Sequence, residues 1–155
     1  MTPLFKKLNF KGQKAILALN KPNSFKAELS AMQAFAQIVT DDSTIDEVGF
    51  AIIFVTTKAQ IEQFAATIMP KFKGDAILWF CYPKGTSKNY KCEFNRDTGW
   101  DVLGQYNLEP VRQVSIDGDW SAIRFRKVEY IKTITRAASG AITDEAKRRT
   151  SQQEK

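Results

Sequence analysis

Residues Phe50–Thr57 read FAIIFVTT, and residues Ala76–Tyr82 read AILWFCY. Both runs are apolar at consecutive positions rather than alternate ones, so each calls for cover on both faces. That is the pattern of a central strand in a parallel sheet. Between them Ile61, Phe64, Ala65, Ile68 and Met69 recur at helical spacing, and Pro70 and Gly74 mark where that helix stops. Strand, helix and strand in this order form the unit that sets the fold class.

Upstream, residues 1–13 carry the apolar anchors Leu4, Phe5, Leu8 and Phe10. Lys14–Leu19 (KAILAL) reads as a buried strand stopped by Asn20-Lys21-Pro22-Asn23. Ser24 has the chemistry of an N-cap for a helix bearing Phe25, Leu29 and Met32. Ala34–Thr40 is a second strand ending in Asp41-Asp42, and Ser43–Glu47 a brief turn or short helix. Downstream, Arg96–Tyr106 reads as a helix. Val111–Ile116 and Ala122–Val128 alternate about Asp117-Gly118-Asp119, which predicts an antiparallel hairpin at the sheet edge. On such an edge Arg124 and Arg126 would block pairing with other chains.

The expected fold is therefore a three-layer α/β, Rossmann-like domain. Its mostly parallel sheet has about six strands and ends in an antiparallel hairpin. Residues 1–136 form the one domain, and the small, charged and polar residues 137–155, with Lys147-Arg148-Arg149, form a flexible tail. A chain of 155 residues that is 43% hydrophobic and 26% charged can bury a real core.

Composition also excludes chemistry. There is no histidine, which removes the commonest general base and every Ser-His or Cys-His nucleophile pair. Two cysteines, Cys81 in an apolar run and Cys92 in a polar loop, do not make a structural zinc site. No apolar run reaches membrane-spanning length and no signal peptide is evident, so a cytoplasmic location is expected. The net charge of +6 favours acidic partners, although much of it is spread over the surface.

The stretches YPKGTS (82–87), NRDTGWDVL (95–103), EPVRQVSID (109–117) and WSAIRFR (120–126) resemble an uncharacterised bacterial family of domains of unknown function. The resemblance runs from about Lys6 to Val128 and implies no established activity. At the level of topology, two central strands each followed by a helix, and then a hairpin, are similar to the carboxyl half of a Rossmann-like methyltransferase. That resemblance implies a glycine-rich turn after the first strand, where the backbone approaches a cofactor closely. Asn20-Lys21-Pro22-Asn23 contains no glycine. Asp41-Asp42 stand where an acidic residue meets a ribose in such folds.

In open α/β sheets ligands bind outside the carboxyl ends of the strands. The candidates gathered there are Asn20, Thr57, Lys58, Lys84, Thr86 and Ser87, with Arg96 near a helix start and Trp120 at the hairpin tip. Lys84 with the hydroxyls of Thr86 and Ser87 suits a weak anion site. Lys-Gly-Thr-Ser runs in the wrong order for a nucleotide phosphate loop. Packing of Trp120 over the hairpin competes with a stacking role. The expectation is a non-catalytic module that binds a small anionic ligand or another protein. It has no cofactor and no membrane association, and its oligomeric state is open. The alternatives are a methyltransferase-like group-transfer enzyme with an atypical cofactor turn and weak nucleic-acid binding. No recognised nucleic-acid module is present.

Overall fold

The computed structural model describes residues 1–95 and 98–131. One six-stranded sheet runs through it. The strands are β1 (Ala15–Leu19), β2 (Gln37–Val39), β3 (Val48–Phe54), β4 (Phe72–Pro83), β5 (Leu108–Ser115) and β6 (Trp120–Lys127), in the spatial order β2-β1-β3-β4-β6-β5. β2, β1, β3 and β4 are mutually parallel, and β6 pairs antiparallel with both β4 and β5.

Two cores follow from the period-2 geometry of these strands. One face, with Ile16, Ala18, Phe50, Ile52, Ile77 and Trp79, is covered by α1 (Pro3–Lys7) and α2 (Lys26–Ala31). The other, with Leu17, Ala51, Ile53, Leu78 and Phe80, is covered by α3 (Lys58–Ile68) and the 3-10 segment Asp101–Tyr106. Phe54 and Val55 are both fully buried, one toward each layer. The three-layer Rossmann-like reading holds.

Four local expectations are corrected. Ser24 caps nothing: a 3-10 turn, Asn23–Phe25, opens behind Pro22 with no side-chain cap, and α2 follows it. The expected strand Ala34–Thr40 shrinks to Gln37–Val39, because Phe35 and Ala36 donate back to Met32 O and prolong the turn after α2. The expected helix Arg96–Tyr106 is a 3-10 segment from Asp101 only. Gly99, at φ 90°, and the Thr98 N–H to Asn95 O bond make a tight turn before it. Finally, β6 lies between β4 and β5, so Arg124 and Arg126 guard no edge; β5 is the edge strand. Arg96 and the tail lie outside the described residues. No helix among the described residues is long and apolar enough to cross a membrane.

Candidate functional site at the carboxyl edge

The chain leaves β1 toward β2 on one side and returns as β3 on the other. The carboxyl ends of β1 and β3 therefore flank the point where strand order reverses, the usual ligand crevice of such sheets. Asn20 sits directly after β1 at φ 56°, in the left-handed region. Asparagine tolerates that conformation better than other non-glycine residues, so the turn expected of glycine forms without one. Its Nδ2 donates to Phe54 O at 2.8 Å and clips the ends of β1 and β3 together.

One strand over, Asp41 follows β2 and faces solvent. Its Oδ1 accepts from the Ser43 N–H at 2.9 Å and the Ser43 hydroxyl at 2.8 Å. The backbone and then the hydroxyl bond hold its carboxyl below the usual range, so it is ionised at neutral pH. No described group donates to Oδ2, which leaves an exposed acceptor at the carboxyl end of β2, one strand from the switch point.

At the start of α3 the N–H groups of Lys58 and Gln60 are already met. Thr57 Oγ1 accepts from Gln60 N at 3.2 Å, and Gln60 Oε1 accepts from Thr57 N at 3.3 Å, a reciprocal capping box. Lys58 N donates to Glu93 Oε1 at 3.3 Å, so a carboxylate of the chain itself occupies the anion position of this helix. The Lys58 ammonium is exposed. Glu93 was not among the sequence candidates; it reaches Lys58 from 35 residues away, and no local pattern announces it.

The loop after β4 brings Lys84 and Ser87 against the hairpin. Lys84 N donates to Asp119 O and its Nζ to Ser115 Oγ, both at 2.7 Å. Ser87 Oγ donates to Asp119 Oδ1 at 2.8 Å and accepts from the N–H of Tyr90 at 3.1 Å. Thr86 is exposed. A cleft of about 350 Å³ opens beside this loop, lined among others by Tyr82, Lys84, Ser87, Tyr90, Lys91 and Phe94. Thus Lys84 and Ser87 share one cleft, whereas Asn20 and the Thr57–Lys58 pair belong to other strand ends.

Trp120 is 4% exposed. Its ring stands 5.1 Å from Phe54 and 4.8 Å from Tyr90, and Phe54 lies 5.0 Å from Phe25. This chain of rings backs the strand ends on the α2 side. Trp120 Nε1 is buried with no hydrogen-bond partner among the described residues. Cys92 is half-buried, and burial pushes its thiol up.

No family model matches the chain, and no curated protein matches it. Solved structures do resemble it. An N-methyltransferase, NodS from Bradyrhizobium japonicum, superposes with a TM-score of 0.50 at 14% identity, over 80% of this chain and 91% of that one. A SAM dependent methyltransferase from Aquifex aeolicus superposes with a TM-score of 0.52 at 10% identity, over 81% of this chain and 88% of that one. The chain has a Rossmann-like α/β fold similar to that of these methyltransferases. At these identities the likeness is one of fold.

Proposed function

We propose that the chain is a methyltransferase-like protein that takes an adenosyl ligand across the carboxyl ends of β1 and β2, in a cytoplasmic setting. The observation that carries this reading is the pairing of two features at the carboxyl ends of β1 and β2. A left-handed turn at Asn20 replaces the glycine turn, and an ionised, outward-facing carboxylate at Asp41 follows about twenty residues on, the separation used by ribose-binding folds. Asp41 Oδ2 would accept from ribose hydroxyls, and the Asn20 turn would hold the backbone beneath the ligand. The fold of the solved methyltransferases supports this over a plain partner-binding module.

Titration calorimetry of the full chain with S-adenosylhomocysteine tests it. The expected result is micromolar binding, weakened about tenfold in Asp41→Ala, the scale of one charge-assisted hydrogen bond. Absence of heat with the wild-type chain would overturn the proposal.

A second reading, a binding module without transfer chemistry, is favoured by one feature. Polar groups along the carboxyl edge are already used: the Asn20 amide on Phe54 O, the Thr57 hydroxyl on α3, the Ser87 hydroxyl on Asp119. Adenosyl binding without methyl transfer to any offered acceptor would favour it.

A further inference from the structure

Edge protection does not explain the hairpin's arginines on β6, Arg124 and Arg126, because β6 is flanked by a strand on each side. Arg112 of β5 is the register partner of Arg124 of β6. Directly opposed residues of an antiparallel pair share a face, and Arg126, two positions on, shares it too. Like charges so placed destabilise a sheet unless something neutralises them. Asp75 is committed to Arg126, with Nη2 to Oδ2 at 2.6 Å and Nε to Oδ1 at 2.9 Å. Glu109, the register partner of Arg126, is buried and makes contacts of its own.

That leaves Arg112 and Arg124. Arg124 Nε is buried without a hydrogen-bond partner, and neither guanidinium makes an ion pair among the described residues. Burial first, then the charges of Arg126 and Arg112, pull the Arg124 guanidinium below its ordinary pKa, with Asp75 opposing. Among the described residues, Asp75 is committed to Arg126 and no carboxylate pairs with Arg112 or Arg124.

We propose that Arg112 and Arg124 form a cross-strand site for a phosphate group, flanked by Arg126 fixed on Asp75. A guanidinium offers a planar fork of N–H donors that grips two oxygens at once. Two forks on neighbouring strands need a ligand with more than two oxygens on different sides, which a phosphate has and a planar carboxylate lacks. The site lies on the hairpin, away from the β1–β2 strand ends, so it stands or falls independently of the adenosyl reading.

Thermal melts of the full chain in pyrophosphate and in chloride of matched ionic strength test it. The wild-type chain is expected to melt a few degrees higher in pyrophosphate. Arg112 is exposed, so Arg112→Gln should fold normally and lose most of that upshift. Arg112→Lys keeps the charge without the fork and should lose part of it. Arg112→Glu supplies a counter-charge: its melting temperature in chloride should rise while the pyrophosphate upshift disappears. A second arm, a short single-stranded oligonucleotide in place of pyrophosphate, tells backbone phosphate from free phosphate, and loss of either upshift in Arg112→Gln supports the site. Equal melting of the wild type in phosphate-bearing and chloride solutions would overturn it, as would an upshift unchanged in both Arg112→Gln and Arg112→Lys.

Discussion

Asn20 carries two separable contributions, a left-handed backbone and the 2.8 Å bond from its amide to Phe54 O. Asn20→Gly keeps the turn and loses the bond, for about 1 kcal/mol. Asn20→Ala loses the bond and strains the turn, for about 2–3 kcal/mol. Denaturant unfolding of both variants should show that order, and a reversed order would remove the turn from the account. The sequence shows that glycine is missing here, but not that asparagine has taken its conformation. That depends on the Phe54 carbonyl, which arrives from 34 residues away. Cys81 gives a second residue-scale test. Its thiol is fully buried, and burial raises it well above the ordinary value of 9.0. The folded state therefore resists its ionisation: its contribution is intact below pH 9.0 and is lost as pH rises beyond it. Melting temperature measured across that alkaline range should fall more steeply for the wild type than for Cys81→Ala.

The elements whose patterns are long and apolar were legible, and those set by distant contacts were not. β3 and β4 follow from uninterrupted apolar runs, and α3 from the Ile61, Ala65, Ile68 stripe that is buried in the structure. The hairpin follows from Asp117, whose Oδ1 accepts from Asp119 N at 2.8 Å and Trp120 N at 2.9 Å. The expected helix Arg96–Tyr106 misled because Trp100, Val102, Leu103 and Tyr106 suggest a helix face. Instead, Gly99 at φ 90° folds the chain so tightly that a Cβ there would lie 2.7 Å from the Phe94 side chain. For α3 the capping box makes a direct prediction: Thr57→Ala should cost about 1 kcal/mol of stability in denaturant melts, with Thr57→Ser close to wild type. Of the candidate site, the strand-end positions and the approach of the hairpin tip with Asp119 were legible, whereas Glu93, which meets the start of α3, comes from a loop 35 residues away.

At the scale of the molecule, α1 completes one of the two cores. Phe5 is fully buried, with ring centroids 5.8 Å from Phe50, 6.2 Å from Phe25 and 6.4 Å from Phe10, and Trp79 Nε1 donates to Leu8 O at 2.8 Å. Phe5→Ala should therefore cost about 3–5 kcal/mol, as for a central core aromatic, and calorimetric melting would read it. That core backs the β1 and β3 ends through Phe25 and Phe54, and Phe5 of the N-terminal segment packs against Phe25. The central claim is that this Rossmann-like sheet takes an adenosyl ligand across the carboxyl ends of β1 and β2. A crystal structure of the full chain soaked with S-adenosylhomocysteine tests it most directly. The account predicts ligand density over Asn20 with the ribose within hydrogen-bonding distance of Asp41. Density elsewhere on the molecule, or none at saturating ligand, would contradict it.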